Sequence, residues 1–226
     1  MAALYTMKIM IAIPNSWGNF QHEFAMSLLT IQAKFYEWVI KNKRDDSLSF
    51  VVQHGVQLDE QRNDLVKNAI HYGMSHILFL DSDMAFPENM IPMMIEDLED
   101  NPQAEAVSGL YTWKSPPYLP HVYLEFDKKS HAFSIAGQFP LDELIKVEGV
   151  GTGCLMVRME AFTRTEYPWF RFGCEGLKEF DGLETKPGIQ GMGEDLFFCL
   201  KVKPFILLDP RIQCQHYRMQ SFGIND

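Results

Sequence analysis

Two carboxylates one residue apart, Asp81 and Asp83, follow directly on Ile77-Leu78-Phe79-Leu80 in the stretch ILFLDSDM. An apolar run of this length reads as a fully buried strand, so both side chains emerge where a central strand leaves its sheet, the edge at which open α/β sheets bind ligands. Two carboxylates with one spacer can chelate a hard divalent cation, and that cation can neutralise a diphosphate. The plainer alternative is that they cap the following turn. His216, in CQHYR, ends a short alternating strand, and a neutral imidazole is a competent ligand for Mn²⁺, although a lone histidine is commonly structural. Arg62, in DEQRNDLVKNAI, sits on the crevice side of a helix and suits contact with a base or a phosphate. Its alternative is an exposed charge pairing with Asp59 or Asp64. Glu194 and Asp195 follow Gly193 in the first turn of a helix, where free N–H groups and the helix dipole stabilise acidic residues.

The elements that must position these groups follow from periodicity. Met7 to Ile13 is a buried-strand pattern stopped by Pro14-Asn15, and Phe20, Phe24, Leu28, Ile31, Phe35 and Trp38 then recur at helical spacing. Leu48 to Val52 predicts a second strand, and Leu58, Leu65, Val66, Ala69 and Ile70 stripe a second helix that Gly73 can close. With ILFL as third strand, the order implies parallel pairing and right-handed crossovers. Beyond Asp83 the sequence predicts a short helix entered through Pro87, with Pro92 held to its first turns, and a strand over Ala104 to Tyr111. A hairpin over His121 to Ile135, a strand over Gly153 to Arg158 and two late strands, Phe205 to Leu208 and Ile212 to His216, complete a mixed second half. Six glycines between Phe172 and Gly193 predict a mobile loop over 172–193. Gly149, Gly151 and Gly153 in GVGTGC match a dinucleotide loop poorly, because a strand follows them where a helix is needed; they let backbone approach a ligand closely.

The 226 residues, 46% hydrophobic and 22% charged, suit one domain. A formal charge of −10 argues against a non-specific grip on nucleic acid or anionic lipid, which needs clustered Lys and Arg. Cys154, Cys174, Cys199 and Cys214 show no CxxC pairing and no secretory segment precedes them, which predicts reduced thiols and a cytoplasmic protein. No apolar stretch approaches the roughly 18 to 20 residues that span a bilayer.

The DxD after a hydrophobic strand, GxGC, GED opening a helix and a late His, in that order from Met7 to His216, resemble the glycosyltransferases of GT-A fold, in particular the compact family 2-like enzymes found in viral and bacterial genomes. The resemblance implies a single domain with a Rossmann-like, nucleotide-binding half over 1–111 and a mixed, acceptor-binding half over 112–226. It implies transfer of a sugar from a UDP- or GDP-linked donor to an acceptor hydroxyl with Mn²⁺ or Mg²⁺ at the DxD. Asp83 would then be the principal metal ligand, Asp81 would touch the ribose or the metal through water, Ser82 would lie with them at the donor, and His216 would add a ligand. Arg62 would face the nucleotide, Pro14 and Asn15 would lie against the nucleoside with His54 nearby, and Glu194 or Asp195 would act as base or acceptor anchor, which implies inversion. Tyr111, Trp113, Tyr118, Trp169 and Phe170 could stack on a sugar.

Two rivals compete. ILFLDSDM also resembles the nucleophile motif of haloacid-dehalogenase-type phosphatases, but there the motif ends the first strand of its domain, whereas two strand-helix units precede it here. A non-catalytic nucleotide-sugar-binding protein is the other.

Overall fold

The computed structural model describes residues 6–16, 18–55, 57–127, 132–172 and 193–217. All but the end residues of the expected mobile loop 172–193, and the tip of the expected hairpin, lie outside the described residues.

The chain opens with β1 (Lys8–Pro14), α1 (His22–Lys41), β2 (Ser47–Gln53), α2 (Leu58–His71) and β3 (His76–Leu80). β1 pairs in parallel with both β2 and β3, as two helical crossovers require. Along β1, Ile9, Ile11 and Ile13 point to one face and Met10 and Ala12 to the other, and both sets are buried. The strand is covered on both sides, hence its unbroken apolar sequence. α1 buries Phe24, Ile31, Phe35 and Val39 on the first face, and α2 buries Leu65, Val66 and Ala69 on the second. Gly73, at φ 63°, follows the end of α2 in the left-handed conformation that glycine adopts without strain. Phe20 lies ahead of α1 and is exposed.

β4 (Met84–Ala85) and α3 (Met90–Asp100) follow. The helix begins three residues after Pro87, with Asn89 at its N-cap, and Pro92 falls in the first turn, where its missing N–H costs nothing. Then come β5 (Ala106–Leu110), β6 (Val122–Asp127), β7 (Ala132–Ile135), β8 (Ile145–Val147), β9 (Gly149–Val150), β10 (Cys154–Arg158), α4 (Met159–Thr163), α5 (Glu194–Val202), β11 (Ile206–Gln213) and β12 (Gln215–His216). The main sheet runs β2-β1-β3-β10-β5-β11-β8, with β10 antiparallel between β3 and β5 and β8 antiparallel at the edge. The two late strands expected from sequence are differently divided. β11 continues through Pro210, which has no N–H to donate, by a register shift between Asp209 and Gln213. Only Gln215 and His216 separate from it, to pair with β4. A third sheet, β7-β6-β9, carries the expected hairpin. No helix among the described residues is long and apolar enough to cross a membrane.

Candidate active site

The carboxyl ends of β1, β2, β3, β5 and β11, and the start of antiparallel β10, share one edge of the sheet. Asn15, His54, Asp81, Tyr111, Gly153 and Cys214 therefore line one rim although up to 199 positions separate them. Pro14 is buried as the last residue of β1. The buried Asn15 shapes the loop beyond it, accepting from Gly18 N–H (2.9 Å) and donating to Asn19 C=O (3.2 Å). His54 is exposed, with Nδ1 3.1 Å from Asn15 C=O.

Arg62 is not the exposed helix charge considered as its alternative. It is 2% exposed, pairs through Nη1 with Glu194 and through Nη2 with Asp81 Oδ1 at 2.9 Å. A buried guanidinium needs partners, and these come from the DxD and the GED motif, so one side chain fixes both motifs to α2. Asp81 N–H also donates to Gly153 C=O at 3.0 Å. Ser82 is half-buried between the two aspartates.

Asp83 meets His216 through the β4/β12 pairing, in which His216 lies opposite Met84 and Tyr217 N–H donates to Asp83 C=O at 2.9 Å. His216 Nδ1 is 2.8 Å from Thr112 C=O, so Nδ1 carries the proton and the Nε2 lone pair faces Asp83 Oδ1, 3.5 Å away. That Oδ1 is buried without a hydrogen-bond partner. Lys114 Nζ holds the other oxygen. Burial pushes the Asp83 carboxyl up, but Lys114 and the protonated form of His216 outweigh it and hold it below the usual carboxylate range. Among the described residues no three His, Cys, Asp or Glu side chains gather as a metal-binding group.

Asp195 faces His121, with Oδ2 3.9 Å from Nε2, while its Oδ1 accepts from Leu196 N–H at 2.8 Å. Glu194 points the other way, to Arg62. His121 is held opposite Tyr111 by the short ladder that turns at Lys114 to Tyr118, His121 N–H donating to Tyr111 C=O at 3.0 Å. The Tyr111 hydroxyl accepts from Gly153 N–H (3.0 Å) and lies 3.3 Å from His121 Nδ1. Its proton thus goes to Nδ1, which turns Nε2–H towards Asp195. Burial lowers the His121 pKa despite the nearby carboxylates, and burial with Asp81 and Asp195 raises that of Tyr111. The glycines of GVGTGC make this fit possible: a Cβ on Gly151 would lie 2.1 Å from both His121 Nδ1 and the Tyr111 hydroxyl, and one on Gly153 2.9 Å from Asp81 Oδ2. Both would be crowded by side chains of the site itself.

Sequence reasoning missed His121 and Lys114. Pro116-Pro117 between two apolar stretches marks the turn that presents both. Of the aromatic residues, Trp169 and Phe170 belong to the core, Phe170 stacked on Phe198 at 4.9 Å, whereas Tyr118 is exposed.

No protein-family model and no curated protein matches the chain. Among solved structures it is similar to A197 from STIV, with a TM-score of 0.62 and 16% identity over 95% of this chain and 87% of that one. It is also similar to the 1–349 portion of S. aureus TarS in complex with UDP-GlcNAc, with a TM-score of 0.51 and 14% identity over 96% of this chain and 60% of that one. The fold is that of the GT-A glycosyltransferases. In this fold the rim holding Asp81, Asp83 and His216 is the carboxyl edge of the parallel half, and Asp195 and His121 approach it from the mixed half.

Proposed function

We propose that the chain is a metal-dependent glycosyltransferase that moves a sugar from a UDP- or GDP-linked donor to an acceptor hydroxyl with inversion, residues 1–111 binding the nucleotide and 112–226 the acceptor. The observation that carries the reading is the convergence of the DxD, Arg62, His216 and Asp195 on one sheet edge in a glycosyltransferase fold. The likeness to TarS, solved with UDP-GlcNAc, supports a nucleotide sugar as donor class.

The residues present fit a divalent cation. An orphaned, buried Asp83 Oδ1, a hard ligand for either ion, faces the lone pair of His216 Nε2, a borderline ligand that suits Mn²⁺ better than Mg²⁺. Such ions are commonly held by one or two protein groups, with substrate phosphates and water completing the shell, so two ligands suffice. When bound, the cation neutralises charge on the departing diphosphate. The chain's own residues do the rest. Arg62 holds Asp81 in place, Glu194 keeps Arg62 from being an uncompensated buried charge, and Lys114 adds positive charge beside the diphosphate. Asp195, fixed by Leu196 N–H and facing His121 across 3.9 Å, takes the acceptor's proton as the acceptor oxygen bonds to the sugar and the sugar–phosphate bond breaks.

The test is thermal stabilisation of the full chain by UDP or GDP, in Mn²⁺ and in chelator. A larger shift with Mn²⁺, lost in Asp83→Ala, is expected; equal shifts in both remove the metal. Release of phosphate from an aryl phosphate would instead favour the phosphatase, and metal-linked binding with no hydrolysis or transfer would favour a binding protein.

A further inference from the structure

Three sulfur atoms gather under α3, on the face of the sheet that α1 and α3 cover. Cys154 opens β10, Cys214 follows β11, and β5 runs between those two strands. The antiparallel register Leu155↔Ser108 carries on to Cys154 and Gly109, and Cys214 N–H donates to Leu110 C=O at 2.8 Å. The two thiols therefore reach towards one another over Gly109, which has no side chain to part them. A Cβ there would lie 2.9 Å from Cys154 Sγ and 3.1 Å from Cys214 Sγ, and the thiols hydrogen-bond to each other. Met90, the first residue of α3, supplies the third sulfur: the Cys154 thiol donates to its Sδ at 3.3 Å. Cys154 and Met90 are buried and Cys214 is half-buried, so the cluster is reached from the Cys214 side.

A disulfide does not suit this placement. Two strand spacings put the α-carbons roughly 9 to 10 Å apart, beyond the about 4.4 to 6.8 Å that a disulfide spans. An ion between the sulfurs widens the bridge: with metal–sulfur bonds of about 2.3 Å it holds them roughly 4.6 Å apart, against about 2.0 Å in a disulfide. We infer that Cys154, Cys214 and Met90 form a site for a soft, closed-shell cation, Cu(I), which ties β10 to the end of β11 across Gly109. Two thiolates and a thioether are soft ligands of the kind that select Cu(I). Zn²⁺ fits less well, because it takes four Cys, His or carboxylate ligands and no three such side chains gather among the described residues. The Mn²⁺ proposed at Asp83 is a hard ion that prefers oxygen, so it does not compete for these sulfurs. On binding, Cu(I) keeps its oxidation state, two copper–sulfur bonds replace two S–H bonds, and both protons leave to solvent. The segments it ties are functional ones: Cys154 follows Gly153, whose C=O accepts from Asp81 N–H, and Cys214 precedes β12 with His216. The site stands independently of the transferase reading, since no nucleotide or Mn²⁺ enters its test.

That test is anaerobic titration of the full chain with Cu(I) against the chromogenic chelator bicinchoninate, in a Cys174→Ser background that removes the thiol outside the described residues. The chain is expected to hold one Cu(I) against the chelator and to melt at a higher temperature with it. Cys154→Ser and Cys214→Ser should each weaken binding by at least the about 10- to 100-fold that loss of a supporting group costs a metal site, and Met90→Leu should weaken it less. Gly109→Ala, which sets a methyl between the sulfurs, should weaken binding with every ligand present, and serves if a serine variant fails to fold. Cys199→Ser, on the opposite face of the sheet, should leave binding unchanged. Copper surrendered entirely to the chelator, copper retained in both serine variants, copper lost in Cys199→Ser, or a Cys154–Cys214 disulfide formed in the folded chain by diamide would each overturn the inference.

Discussion

Two carboxylate pairs in this molecule are each clamped by one arginine, and they are built inside out relative to one another. At the rim the cation is inside: Arg62 is buried, and Asp81, with its side chain 26% exposed, looks into the crevice. On the flank covered by α3 the acids are inside: Asp209 and Asp97 are buried, and Arg211, with its side chain 46% exposed, reaches in from outside at 2.7 to 3.0 Å. Burial, reinforced by Asp209, pushes the Asp97 carboxyl up to about 7. Asp97, turned inward beside a second acid, is pushed towards its neutral form, whereas Asp81, clasped by the buried Arg62, is open to the crevice. The same inventory is sealed in one place and open to a ligand in the other because of which partner faces solvent.

The sharpest way to break the comparison is Asp195→Asn. Asn retains size and is nearly as good near a helix start, so a merely capping residue predicts transfer near wild type; a base predicts a loss of about 10²- to 10⁴-fold with unchanged nucleotide affinity by calorimetry. Next comes Arg62→Met, which leaves Glu194 buried and unpaired and should cost about 3 to 5 kcal/mol in urea denaturation. Arg211→Met should cost less, because a protonated Asp97 stays beside Asp209 and hydrogen-bonds it. Gly151→Ala drives a methyl into His121 and Tyr111; overpacking of this kind costs about 1 to 3 kcal/mol, and transfer should fall with it, whereas Gly137→Ala, where a Cβ meets nothing within 4 Å, should change neither. The smallest effect concerns pH. Because the folded Asp97 holds a proton that the unfolded chain has released, its contribution is complete below about pH 4 and is lost as pH rises through about 7, at no more than about 1.4 kcal/mol per pH unit. The stability of Asp97→Asn relative to wild type should therefore grow from pH 4 to pH 8 in parallel urea melts, and a flat difference would show that Asp97 is ionised in the fold.

The parallel half was legible because each element carries its own period: two-faced burial along β1, the helical stripes of α1 and α2, and the apolar run before Asp81. The DxD and GED motifs were legible as residue types at spacings. What could not be read were the partners. Arg62 pairs with Glu194 across 132 positions, and nothing local distinguishes it from an exposed helix charge. His121 has no motif at all; its place comes from a short ladder with Tyr111 and from two missing β-carbons on the next segment. Strand β11 was divided at Asp209-Pro210-Arg211 because those residues form turns when alone, and the sheet overrides them by slipping register.

The position of β10 bears on how the chain assembles. β3, apolar from Ile77 to Leu80, waits on one side for a neighbour that arrives only some 70 residues later, and β5 pairs with β10 and β11. During synthesis the first hundred residues can form a three-stranded unit, but with an unpaired, sticky margin where β10 belongs. Non-local closure of this kind slows folding and prolongs exposure to association. The step that completes the sheet also brings Gly153 against Asp81, so a chain that has paired β10 has at the same moment built the floor of its crevice.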